Sequence, residues 1–268
     1  MASELANNVL NLLKKDLFSE HDVSNEKLNQ SLRLMCKWRS VLIQNTLISQ
    51  EGTSIRRGPF SGMEFLEKSA EGCHVAKLLG TYEQPLHEHI DWVVKQPYRK
   101  IINIGCAEGY YAVGLAMRMQ QTKVLAFDID LKAQESCQYL AKKNKVSDRL
   151  VISGELKQND LTDDLLSDAI MFCDIEGAEL DLLDPSKAPA IRFVDIVVES
   201  HECLVPGITE KLKERFNESH NIVEIQDDGL RTIEKPPKWF AGLSHLDQLL
   251  ATWEWRSGPT PWLVMKKK

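Results

Sequence analysis

Apolar positions along the chain change their period near residue 100. Before it, leucines and valines recur at helical spacing. Leu5, Val9, Leu12 and Leu13 predict an amphipathic helix over Ala2 to Lys15. Leu28, Leu32, Met35, Trp38 and Leu42 predict a second, with Ser24 as its N-terminal cap. "EGTSIRRGPFSGMEF" carries glycines and a proline and reads as turns with short extended pieces. "CHVAKLLGTYEQPLHEHIDWVVKQ" returns to helical spacing, interrupted at Pro85. After Lys100, short apolar runs alternate with helical stretches. The runs are "KIINIG", "KVLAFDI", "RLVISG", "AIMFCDI", "FVDIVVES", "HNIVEIQ" and, near the end, "PWLVMKK". Strand and helix in alternation predict crossover connections and a mostly parallel sheet covered on both faces. "EKPPKWFAGLSHLDQLLATWEWRSGPTP" is a long excursion between the last two strands and a candidate for substrate contacts.

Composition narrows the picture. The chain has 268 residues and a net charge of -6. That is long enough for a sizeable core, and the charge argues against a broad basic face for duplex nucleic acid. No apolar run approaches the ~20 residues of a membrane span. The first residues lack the basic and apolar regions of a signal peptide, so a reducing cytoplasm is the expected location. The six cysteines lie far apart with no CxxC pair. Cys106, Cys137 and Cys173 read as small buried hydrophobes.

In an open α/β sheet, ligands bind beyond the carboxyl ends of the strands. The first tip is "NIGCAEGYY", where Gly105 and Gly109 bracket a strand-to-helix turn. Glycine lets the backbone pass close to a ligand. The spacing is GxxxG, with Ala107 and Glu108 inside it. It lacks the middle glycine of the dinucleotide fingerprint, which disfavours an NAD-dependent oxidoreductase and suits a nucleoside without bridging phosphates. Asp128 ends the next strand, where a carboxylate can accept both hydroxyls of a ribose. Glu155 and Leu156 follow the third strand, beside the place of a purine.

"INIGCAEGYYAVGLA", "VLAFDID" and "CDIEGAE" resemble motifs of class I S-adenosylmethionine-dependent methyltransferases, the FkbM-type branch in particular, over roughly Lys100 to Gln226. The resemblance implies a Rossmann-like α/β sheet, mostly parallel with its last strand antiparallel, and a helical N-terminal cap. It implies S-adenosyl-L-methionine held by Asn103, Gly105, Ala107, Gly109, Asp128, Glu155 and Asp174. Two positions depart from the pattern: Asn103 stands where an acid commonly precedes the glycines, and Phe172 stands where FkbM-type sequences often have lysine.

The fourth tip, "CDIEGAELD", is crowded with acids. Asp174 would lie beside the transferable methyl. Alternation along "VDIVVESHEC" sends Glu199 and His201 to one side of the neighbouring tip. Three readings stay open. The acids cap a helix and pair locally; or His201 with a carboxylate removes a hydroxyl proton; or Asp174 and Glu199, with His201 as a further ligand, hold a magnesium-like ion. Glu176 and Glu179 are assigned to the first turn of the following helix. His87 and His89 have a strand-like metal spacing in a helical context, and His74, His220 and His245 stand alone. Arg56, Arg57 and Arg256 either clasp an anionic substrate or are solvated. The expected organisation is a helical, substrate-facing segment over residues 1–95 and a methyltransferase domain over residues 96–268. The expected activity is methylation of a hydroxyl oxygen on a small molecule, a sugar or natural product, by a chain that can pair as a homodimer. The alternative is a catalytically silent protein that binds S-adenosylmethionine.

Overall fold

The computed structural model describes residues 4–17, 24–68 and 72–268. Seven strands form one sheet: β1 Lys100–Ile104, β2 Lys123–Phe127, β3 Leu150–Ser153, β4 Ala169–Cys173, β5 Asp195–Glu199, β6 His220–Ile225 and β7 Trp262–Lys267. Their order is β3-β2-β1-β4-β5-β7-β6. β1 to β5 pair in parallel, and β7 runs antiparallel to both β5 and β6. This is the Rossmann-like α/β sheet expected, with the strand that comes last in sequence reversed and inserted one place from the edge. β1 and β4 carry apolar residues on both faces because both faces are covered; every residue of β4 is buried.

The chain enters the sheet in the middle, winds outward from β1 to β3, then returns to β4 beside β1 and winds the other way. The crevice between the β1 and β4 tips is therefore the switch point where ligands bind in such sheets. The register fixes what meets there. Ile104 pairs with Cys173, so Gly105 and Asp174 continue side by side, and Cys173 pairs with Val198, so Glu199 follows next in the row.

Helix Glu4–Leu17 and helix Asn25–Glu51 lie where helical spacing placed them. Ser24 caps the second, its hydroxyl accepting the Lys27 amide at 3.3 Å. Pro85 opens a helical turn, Gln84–Leu86, ahead of helix His87–Val94. One core joins Ile43 and Leu47 of the second helix, Val75 and Leu78 of helix His74–Leu79, and Val113 and Val197 on one sheet face. Arg39 clamps Asp247 of helix His245–Thr252 with two hydrogen bonds of 2.6 Å, so the C-terminal excursion packs on the N-terminal helices. The other face buries Met171, Val198 and Leu263 under Leu212 and Phe216 of helix Ile208–Phe216. None of the helices among the described residues is long and apolar enough to cross a membrane. Cys106, Cys137 and Cys173 are buried in these layers.

Candidate functional site: a cleft at the β1 and β4 tips and a carboxylate-rich edge

A cavity of about 560 Å³ opens at the switch point. Gly105, Ala107, Asp128, Glu155, Leu156 and Asp174 line it, with Ile129 and Leu182 among its apolar walls. Gly105 has φ +75°, and a Cβ on it would sit 1.6 Å from the Asp174 carbonyl oxygen. Only glycine lets the two tips meet this closely. Asp128 shapes the loop as well as facing the cavity: its Oδ2 accepts the Ala107 amide at 2.8 Å and its Oδ1 the Asp130 amide at 2.9 Å. Each oxygen keeps a second lone pair, enough to accept two hydroxyls. Asn103, Gly109, Glu199 and His201 do not line the cavity. Gly109 has φ +97° and starts helix Tyr110–Arg118, where a Cβ would press on Cys137 Sγ at 2.8 Å. Asn103 is buried two residues before Gly105, and its Oδ1 has no hydrogen-bond partner. A buried acceptor left open is costly unless something arrives to fill it.

These features fit S-adenosylmethionine: an apolar-walled slot of nucleoside size, a diol acceptor at the β2 tip and a glycine cradle.

Asp174 joins the cleft to the acid edge. His201 sits one turn past β5 and is buried. Its Nδ1 lies 2.7 Å from Glu179 Oε1. Its Nε2 faces Glu176 Oε2 at 3.4 Å, Asp174 Oδ1 at 3.5 Å and Glu199 Oε2 at 3.7 Å. Burial pulls the imidazole pKa down, but Glu179, Glu199 and Glu176 outweigh it and raise the pKa above the ordinary histidine value. Burial alone would raise the Glu179 pKa; its bond to His201 and the amides of its own turn bring it below the usual carboxylate value. Asp174, Glu176 and His201 each offer a donor atom within 4.8 Å of the others, close enough for a divalent ion. Glu199 is outside that group.

Glu199 points instead toward Arg256, which it binds through Oε1. Arg256 also meets Glu83 at 2.9 Å, Glu254 at 3.3 Å and Asp227 at 3.4 Å. Arg231 pairs with Glu254 at 2.5 Å and Asp227 at 2.6 Å. Four carboxylates thus share two guanidinium groups. Burial, with Glu199 nearby, drives the Glu83 pKa well above its ordinary value against the pull of Arg256. Tyr111 hydrogen-bonds the other Glu83 oxygen.

A second buried pair braces the glycine loop from behind. Glu108 turns away from the cleft and meets Lys77 Nζ at 2.8 Å, with both side chains almost completely enclosed. The ammonium lies 4.9 Å from the centre of the Tyr82 ring.

Several residues sit otherwise than their sequence context suggested. Arg256 is neither solvated nor open to an anionic ligand, because carboxylates from four segments surround it. Arg56 pairs with Glu51 at 3.0 Å, and Arg57 donates to the Lys235 carbonyl at 2.9 Å. Glu179 does begin a helix, Glu179–Leu182, but its side chain is fully buried against His201. Glu176 stays outside that helix in a left-handed turn with φ +54°. His87 Nε2 donates to the Tyr82 carbonyl at 2.9 Å. Phe172 stacks on Tyr111 with ring centres 5.7 Å apart. Glu83 and Lys77 escaped the sequence reading. Lys77 did leave a trace: a lone lysine inside the otherwise apolar "HVAKLL".

No family model matches the chain. A release factor glutamine methyltransferase from Dictyoglomus turgidum is 37% identical over 60 residues, which are 22% of this chain and 21% of that protein. The likeness therefore spans about a fifth of that relative's length. Among solved structures, the O-methyltransferase TomG from Streptomyces achromogenes, in complex with SAM and involved in tomaymycin synthesis, aligns at 14% identity. It covers 71% of this chain and 82% of its own, with a TM-score of 0.45. An O-methyltransferase from Bacillus cereus in complex with SAH aligns at 12% identity over 100% of this chain and 92% of its own, with a TM-score of 0.39. Such values carry nothing about activity or substrate.

Proposed function

We propose that the chain is an S-adenosylmethionine-dependent methyltransferase that methylates a hydroxyl oxygen of a small molecule. One observation carries the reading: the cleft at the switch point joins a glycine cradle, a β2-tip carboxylate with spare lone pairs and the acid edge through Asp174 and Glu176. When bound there, S-adenosylmethionine supplies a methyl group activated by its sulfonium. Gly105 and Ala107 let it approach the backbone. Asp128 accepts the ribose hydroxyls, and Glu155 lies toward the adenine. Asp174, Glu199 and His201 form the catalytic edge. His201 Nε2 receives the acceptor's proton, and the N-terminal helices with the C-terminal excursion exclude water. An FkbM-type relationship and a cytoplasmic setting complete the reading.

A second reading is favoured by the donor atoms of Asp174, Glu176 and His201 lying within 4.8 Å: a magnesium-like ion there would acidify the hydroxyl instead. Calorimetry with S-adenosylhomocysteine, followed by methylation of a pooled set of hydroxylated metabolites with and without EDTA, tests both. Binding with EDTA-insensitive methyl transfer is the expected result. Loss of transfer on chelation selects the metal reading. Binding with no product from any pool would mark a silent binding protein, and no binding at all would end the proposal.

A further inference from the structure

We propose that Glu179 is a positioning residue that holds the proton of the neutral His201 ring on Nδ1, so that the Nε2 lone pair, rather than an N–H, faces Glu176, Asp174 and Glu199. The base assignment rests on the methyltransferase reading; the tautomer does not.

The argument is one of donors and acceptors. Glu179 Oε1 lies 3.3 Å from the Ile175 amide nitrogen, 3.2 Å from that of Gly177 and 2.7 Å from His201 Nδ1. The two amides can only donate, so Oε1 acts as an acceptor, and the short contact to Nδ1 is completed by a ring N–H. A neutral ring with its proton on Nδ1 has a bare lone pair on Nε2. That lone pair looks at three carboxylate oxygens, of Glu176, Asp174 and Glu199, between 3.4 and 3.7 Å away. Lone pair against carboxylate is repulsive until a positive charge arrives. The edge therefore favours a positive charge at Nε2, which in the methyltransferase reading is the hydroxyl proton.

Glu179 also ties the histidine to the turn that carries Asp174 and Glu176, since the Ile175 and Gly177 amides belong to that turn. One buried carboxylate thus sets the ring's tautomer and its distance from the cleft. In the transfer, the acceptor oxygen bonds to the methyl carbon, the carbon–sulfur bond breaks with its electron pair left on sulfur, and the hydroxyl proton passes to Nε2. The positive charge lost at sulfur reappears on the imidazolium, between Glu179 and the three facing carboxylates, and leaves as a proton to solvent.

The test is nitrogen NMR of the ¹⁵N-histidine-labelled protein without cofactor, at a pH where the ring is neutral, with His201→Gln identifying its signals. The wild type is expected to show a single tautomer with Nδ1 protonated. Glu179→Met, of similar length, is expected to release the ring to the tautomer mixture of a free imidazole and to lower kcat roughly 100-fold at unchanged KM, the scale of a general base. A folded Glu179→Met protein that keeps the wild-type tautomer overturns the proposal. Should that variant not fold, Glu179→Gln retains the acceptor oxygen but not the charge. The proposal then expects the deshielded Nδ1–H proton resonance to move upfield, and an unmoved resonance overturns it. Wild-type protein with the expected tautomer but no affinity for S-adenosylhomocysteine overturns the base assignment and the methyltransferase reading, not the dyad.

Discussion

The cleft and the acid edge touch at Asp174 and Glu176, yet they are built by opposite means. The cleft is a backbone construction. Its wall is a short loop closed by Asp128, and its close approach depends on one glycine. The edge is a side-chain construction. It gathers Glu83, Asp174, Glu176, Glu179, Glu199, His201 and Arg256 from segments far apart in the chain, and it is held together by ion pairs and hydrogen bonds to Arg256 and His201. Backbone sites fail by steric clash, which pH cannot relieve. Ion-paired sites fail by leaving a buried ion without its counter-ion, which a change of protonation can relieve.

The largest effect should come from Gly105→Ala. The φ of +75° costs about 1–3 kcal/mol for a residue with a Cβ, and the 1.6 Å approach to the Asp174 carbonyl adds a displacement of the loop. S-adenosylhomocysteine binding should vanish in calorimetry at every pH. Retained affinity would break the contrast on the cleft side. Next, Lys77→Met leaves Glu108 buried without its ammonium and should destabilise the chain by about 3–5 kcal/mol in denaturant unfolding. Most of that should return in the Lys77→Met, Glu108→Gln double variant, since the pair then loses both charges. Arg256→Met removes the guanidinium shared by Glu83 and Glu199, and should lower Tm by several degrees at neutral pH. The deficit should shrink as the pH falls and Glu83, whose pKa burial already raises, takes up a proton. A deficit that grows on acidification would mean the nest is not charge-limited.

The smallest effect is a pH slope. His74 is buried, and burial pulls its pKa down to about 4 from 6.5, against the attraction of Glu108. The unfolded chain binds a proton near pH 6.5 that the folded chain refuses until about pH 4. The neutral histidine is therefore accommodated above pH 6.5, and stability is lost as the pH falls through that window, by at most about 3 kcal/mol. His74→Leu should flatten this part of the stability curve in urea titrations; an unchanged slope would assign it to the carboxylates.

What the chain determined by itself was whatever is local. Alternation of apolar runs and helices after Lys100 specified the sheet, because a strand buried on both faces must be apolar throughout, as β4 is. The glycine pair and Asp128 were legible as parts of one turn because they meet within one crossover, and Ala107 and Asp128 do bond across it. Glu199 and His201 were legible as neighbours because they sit two residues apart at one strand tip. The tertiary structure alone decided the rest. Nothing near Arg256 announces Glu199, 57 residues away, or Glu83, 173 away. Glu179 looked like a helix acid until β5 brought a histidine to it. Local periodicity records which face of an element is buried; it does not record which charges from distant elements will share that burial. That is settled when the sheet closes and the cost of desolvation forces each buried ion to find a partner.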